Sequence, residues 1–249
     1  MKTSILSNTL FFANSTREQV IEAFDSIEIT VHSPDPVAHN LFCGKNKAYE
    51  NVVGNLKSFQ NSNTRLGIVY NITSEIFNYI SNTIKRVIEI DALGIDHVVL
   101  QRVAPVGRAY KKDDWLLSLD AIESIFFQVE ESIKTYGIDI TLEDTFPLCK
   151  IPQRYKGYIS SCTWGYDSCS LDMYGNVSKC CTDPRYVLGN ILEIPLLDLW
   201  NTHPSLIEKR CGKLVPQKCR DCEQYEQCRG GCVLASEMNE CLGDPLITF

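Results

Sequence analysis

The sequence has no run approaching the ~20 consecutive apolar residues that a membrane-spanning helix requires. Its opening stretch, M-K-T-S-I-L-S-N-T-L-F-F-A, is interrupted by Ser4, Ser7, Asn8 and Thr9, so it lacks the unbroken apolar centre of a secretion signal. Positive charge is also scarce: 24 Lys and Arg stand against 31 Asp and Glu, a net charge of -7 over 249 residues. That balance gives no basic footprint for nucleic acid, and Lys111-Lys112 is too short to make one. Neither a membrane nor a nucleic acid is therefore expected as a partner, and the cytoplasm is the expected compartment. Thiols stay reduced there, so the twelve cysteines argue for metal binding or catalysis over disulfides.

Those cysteines are not spread evenly. Cys219, Cys222, Cys228 and Cys232 read C-x2-C-x5-C-x3-C, followed by Cys241 and preceded by Cys162, Cys169 and Cys180. Soft thiolates packed this closely select zinc or an iron–sulfur cluster over hard cations. The spacing alone leaves structural zinc open, because C-x2-C followed by further cysteines is also a zinc-ribbon pattern.

Ahead of this array, residues 1–145 alternate short β-rich runs with helical patterns, the signature of an α/β region with a parallel sheet. Strands are expected over Ile5–Phe12, Ile27–His32, Leu66–Ile72, His97–Val103 and Ile138–Leu142. Helices are expected after a Ser15-x-x-Glu18 capping box, over 48–59, over a long stretch marked by Ile76 to Ile88 and ending near Leu93-Gly94, and over Leu119–Tyr136 with Gly137 as its cap. From Phe146 the texture changes to Pro, Tyr, Gly and Cys. A boundary within 143–158 and a second domain over 146–249 follow, the latter depending on metal for much of its stability.

Taken whole, the pattern Cys162-x12-Gly175-x4-Cys180, then Cys219-x2-Cys222-x5-Cys228-x3-Cys232, then Cys241 resembles the SPASM domain. This is the auxiliary-cluster module of radical S-adenosylmethionine (SAM) enzymes that modify peptides and proteins. The segment V-L-G-N-I-L-E-I-P-L-L-D-L-W-N (Val187–Asn201) resembles that family's connecting segment. The resemblance implies two 4Fe-4S clusters, the first on Cys162, Cys169, Cys180 and Cys232 and the second on Cys219, Cys222, Cys228 and Cys241. Cys43, Cys149 and Cys211 are expected to pack as small apolar side chains. Cys181 stands where sulfatase-maturing relatives carry an acidic residue that serves in deprotonating the substrate radical. It is the one catalytic candidate in this chain, for a hydrogen-atom role.

The first region resembles the later strands of the radical SAM barrel. S-I-L-S-N-T (Ser4–Thr9) is similar to the third-strand "TNG" element, with Asn8 matching and Thr9 in place of glycine. I-T-V-H-S-P-D-P-V-A-H-N (Ile29–Asn40) is similar to the fourth-strand segment, which gives Thr30 the position that contacts the cosubstrate ribose. Q-R-V-A-P-V-G-R-A (Gln101–Ala109) is similar to the sixth-strand element, which adds Arg102 and Arg108 to a SAM-facing rim at the strand C-termini.

One departure is decisive. The family's catalytic cluster rests on a C-x3-C-x2-C loop, and before Cys149 this sequence has Cys43 alone; the G-G-E-P element is missing as well. The expected fold is thus a partial (β/α)6-type radical SAM barrel followed by a SPASM domain. The resemblance implies an oxygen-sensitive, anaerobic peptide maturase that uses SAM. The barrel's beginning would lie in a longer chain or on a second polypeptide, or the protein is degenerate. A non-catalytic iron–sulfur or zinc module that binds a peptide or carries electrons for a partner is the alternative.

Overall fold

The computed structural model describes residues 2–9, 14–110, 112–143, 145–182, 187–232, 234–235 and 244–247. The chain divides into two compact units, one of Met1–Val103 with Asp114–Glu143 and one of Ala104–Asp113 with Asp144–Phe249. Residues 104–113 thus go with the second unit, although the strand that precedes them belongs to the first.

In the first unit five strands, β1 (Ser4–Ser7), β2 (Ser26–Thr30), β3 (Arg65–Ile72), β4 (His97–Arg102) and β5 (Asp139–Leu142), form one sheet in sequence order, all parallel. Parallel neighbours need crossovers. These contain α1 (Asn14–Ala23), α2 (Pro36–Cys43), α3 (Ala48–Phe59), α4 (Ile80–Lys85) and α5 (Leu119–Tyr136). The central strand β3 reads R-L-G-I-V-Y-N-I and buries six of its eight residues, as a strand covered on both faces must. Ile27, Ile29, Ile68, Ile72, Leu56, Phe59, Ile125 and Phe126 are fully buried and form the core of this layer.

Two helical expectations change. The sequence S-P-D-P-V-A-H-N gives a helix, α2, in which Asp35 accepts from the Val37 and Ala38 amides and Pro36 opens the first turn. The long helix expected over 76–88 is broken into a 3-10 turn (Phe77–Tyr79), α4 and a widened π turn (Arg86–Ile90). The first of these breaks is caused by Gln128 of α5. Its Nε2 donates to the Phe77 carbonyl at 2.8 Å and its Oε1 accepts from the Ser81 amide at 3.2 Å, so the pair that would close one helical hydrogen bond is taken by an inserted side chain.

The second unit is built from short pieces. A three-stranded antiparallel sheet, β6 (Ser170–Leu171), β7 (Asn176–Ser178) and β8 (Val187–Asn190), is followed by α6 (Leu196–Thr202), α7 (Pro204–Arg210), α8 (Gln217–Arg220) and α9 (Tyr225–Cys228). Val177, Leu188, Leu199 and Leu206 form its small core, with Cys169, Ile191 and Trp200 packed on it. Among the described residues no helix is long and apolar enough to cross a membrane.

Candidate metal centre

Cys162, Cys169 and Cys180 are held by the first part of the second unit. Between Cys169 and Cys180 the chain turns through Asp172, whose Oδ1 accepts from the amides of Tyr174 (2.8 Å) and Asn176 (2.9 Å). Asn190 closes the turn by donating to the Tyr174 carbonyl and to Asn176 Oδ1. Gly175 sits in the left-handed region at φ 86°, where an added Cβ would stand 3.0 Å from Asn190 Oδ1. At Gly189 a Cβ would stand 2.6 Å from Leu199 Cδ2. The glycines of the G-x4-C and G-N-I elements are thus set by close approach.

Lys209, only 5% exposed, reaches this group from α7. Its Nζ lies 3.7 Å from Cys162 Sγ and its charge acts on Cys180 as well. The Cys180 thiol is drawn down to about 5, first by the hydrogen bond from the Cys181 thiol, then by the Thr182 hydroxyl and amide and by Lys209. Cys181 itself is exposed. Arg229 ties α9 to the same loop, donating to the Cys162 carbonyl at 2.7 Å, pairing with Asp167 at 3.3 Å and lying over the Tyr166 ring at 4.0 Å. Cys232 enters through Gly230 and Gly231, both at positive φ, and its amide donates to the fully buried Asp244 carboxylate at 2.8 Å.

A second set of thiols lines one cavity of about 290 Å³, with Cys219, Cys222 and Cys228 from the C-x2-C-x5-C segment, Gly230, Tyr225 and Ile247 in its wall. Burial pushes the Cys219 thiol up, and the neighbouring Cys228 adds to it, so the Cys219 thiolate is disfavoured without a cation beside it. Cys241 lies outside the described residues. One further thiol, Cys149, lies on the same wall. It was expected to pack as an apolar side chain, yet it is exposed, as is Cys211.

Among the described residues no three ligand side chains converge closely enough to hold a single metal ion. The thiols ring a space instead. Soft thiolates lining one cavity are the donor chemistry that an iron–sulfur cluster takes. The donor set and its cavity fit the cluster.

In the first unit, Asn8 follows β1, Thr30 ends β2 and Arg102 ends β4, so the parallel register brings all three to the C-terminal end of one sheet. Arg102 is buried, Thr30 half-buried and Asn8 exposed. Arg108 is exposed on the 3-10 turn Gly107–Ala109, in the stretch that goes with the second unit. Sequence reasoning missed a buried group just past β2. His39 accepts at Nδ1 from the His32 amide (3.1 Å), and Phe42 stacks on Trp115 and meets the His32 ring at a tilt. The Asp35-Pro36 cap was the signal that would have revealed its helix.

Residues 162–232 match SPASM, an iron–sulfur cluster-binding domain. No curated protein sequence matches the chain. Among solved structures, native anSMEcpe with bound AdoMet is similar at a TM-score of 0.69 and 16% identity, over 98% of this chain and 68% of that one. Native anSMEcpe with bound AdoMet and Cp18Cys peptide is similar at a TM-score of 0.68 and 16% identity, over 98% and 69%. A histidine-tagged anSMEcpe with bound AdoMet gives 0.68 and 17%, over 97% and 65%. The chain therefore spans about two thirds of the length of these structures, and at such identity the likeness is one of fold.

The SPASM likeness is thus confined to residues 162–232, and the likeness to these solved structures is one of fold over nearly the whole chain. The parallel five-stranded α/β layer matches a partial radical SAM barrel, and the cysteine-rich region after it carries the SPASM match.

Proposed function

We propose that this chain is the later-barrel and auxiliary-cluster part of a radical SAM enzyme of the maturase type, which modifies a peptide or protein substrate in the cytoplasm. The carrying observation is the SPASM match over residues 162–232, combined with thiols that ring a cavity in the same unit. Solved structures of similar fold are described with AdoMet and peptide bound, which supports the choice of cosubstrate and substrate class.

In this reading Cys162, Cys169, Cys180 and Cys232 hold one 4Fe-4S cluster, and Cys219, Cys222 and Cys228 hold the other, whose fourth place the resemblance gives to Cys241. Such clusters supply one-electron transfer when bound. The chain's own residues prepare the cages. Lys209 offsets thiolate charge at Cys162 and Cys180, Cys181 donates to Cys180, and Asp244 fixes the backbone of Cys232. At the sheet rim Asn8, Thr30 and Arg102 form a polar edge for SAM, with Arg108 as a further contact. Strand C-termini are where α/β enzymes place their ligands. Cys181, exposed beside Cys180, is the candidate for hydrogen-atom transfer.

The sequence holds no C-x3-C-x2-C, and this favours a second reading, a module that binds peptide or carries electrons without cleaving SAM itself. The two separate on one assay. The purified chain, loaded with iron and reduced without air, should give no 5′-deoxyadenosine from SAM alone. It should give it once a polypeptide carrying C-x3-C-x2-C and G-G-E-P, from the adjoining reading frame, is supplied. If no such polypeptide restores cleavage, the module reading stands.

A further inference from the structure

Cys149 is the thiol for which the sequence pattern has no use. It sits on the 3-10 turn Leu148–Lys150 and lines the cavity that Cys219, Cys222 and Cys228 line. Its position is fixed from both sides. Leu148 and Ile151 are buried, the Lys150 amide donates to the Pro147 carbonyl at 2.9 Å, and the Leu148 amide donates to Cys228 Sγ at 3.4 Å. An amide aimed at a sulfur is a common support for a cluster thiolate, because it spreads the charge that the sulfur carries.

We propose that Cys149 is a thiolate ligand of the second iron–sulfur cluster, completing with Cys219, Cys222 and Cys228 a four-thiol cage in the place that resemblance gives to Cys241. This rests on the iron–sulfur reading above. A 4Fe-4S cluster takes four protein thiolates, and the C-x2-C-x5-C segment supplies three of them. The described wall of the cavity supplies the fourth from a distant part of the chain. On ligation each thiol gives its proton to solvent as its sulfur bonds a corner iron, with no change of oxidation state, and the iron and sulfide come from the loading mixture. The bond would cross-link the turn ahead of the SPASM match to the segment at its end.

The test is a thiol footprint on the unmutated full chain. The iron-free and the anaerobically iron-loaded protein are treated with iodoacetamide, and each cysteine is read by mass spectrometry. Cys149 should label readily without iron and severalfold less with it, alongside Cys219, Cys222 and Cys228, while the exposed Cys211 labels in both. Cys149→Ser should then lower bound iron from about eight to about four per chain, with Cys211→Ser unchanged. Equal labelling of Cys149 in both forms of an iron-loaded protein overturns the assignment of Cys149 alone. A chain that takes up zinc and no iron overturns the iron–sulfur reading beneath it.

Discussion

His97 Nε2 lies 3.3 Å from Glu28 Oε1 across an intervening strand that puts no side chain between them. Register makes this necessary: Glu28 pairs with Gly67, and Gly67 with His97. The bond to His97 is the first cause that holds the Glu28 carboxyl below its ordinary range. A Cβ at Gly67 would stand 2.4 Å from the His97 ring. Gly67→Ala should therefore destabilise the fold by about 1–3 kcal/mol, the usual range for overpacking. Adding His97→Ala should recover part of that loss in a double-mutant cycle of urea unfolding. Strict additivity of the two changes would contradict the contact.

Thr9 occupies the left-handed region at φ 52°, a costly place for a β-branched residue. It is also buried, with its hydroxyl lacking a hydrogen-bond partner among the described residues, while Asn55 holds its carbonyl at 2.8 Å. This is the position where the related "TNG" element has glycine. Thr9→Gly should raise stability by about 1 kcal/mol, seen as a higher urea midpoint at unchanged slope. A lower midpoint would show that the threonine side chain is needed.

His39 is buried, and burial lowers its imidazole from 6.5 to about 4. Its Nδ1 accepts from the His32 amide, an arrangement that the neutral ring alone provides. The unfolded chain takes up this proton below pH 6.5 and the folded chain resists until about pH 4. Stability from this group is complete above pH 6.5 and declines as pH falls through that window, by about 3 kcal/mol in all. Unfolding of the iron-free chain at several pH values, set beside His39→Gln, should show a shallower acid decline in the variant. Parallel declines would remove His39 as the cause.

Lys209 is a buried cation facing two proposed ligands, Cys162 and Cys180. Lys209→Met keeps the length and removes the charge. It should lower iron at the first site by half or more while the second site stays loaded. Gly231→Ala should do the same by another route, since φ is 78° and a Cβ there would stand 2.6 Å from Asp244 Oδ2, displacing the carboxylate that anchors Cys232. Element-specific analysis and low-temperature electron paramagnetic resonance would read both. Full loading of either variant would show that these contacts do not govern the first cage.

The four later strands were legible as apolar runs between helical periods, while the first, expected over Ile5–Phe12, runs over Ser4–Ser7, with residues 10–12 outside the described ones. Helix α5 was legible to its cap at Gly137. The break at 77–81 was not, because it depends on Gln128, which lies 51 and 47 residues further along from Phe77 and Ser81, where it enters the ladder. Helix α2 was hidden behind a family likeness that drew the eye to the strand before it. In the second unit, spacing points to the thiols as a metal set, but spacing cannot say which cysteine outside the pattern folds onto the same wall. Cys149 shows the difference: in sequence it stands between Leu148 and Lys150, with no cysteine near it, while in space it shares a wall with Cys219, Cys222 and Cys228.

The most direct measurement is the metal content of the full chain after loading with iron and sulfide in the absence of air. The account predicts a brown protein with about eight irons and matching sulfide per chain, as two four-iron clusters require. A colourless protein that holds zinc and no iron would contradict it.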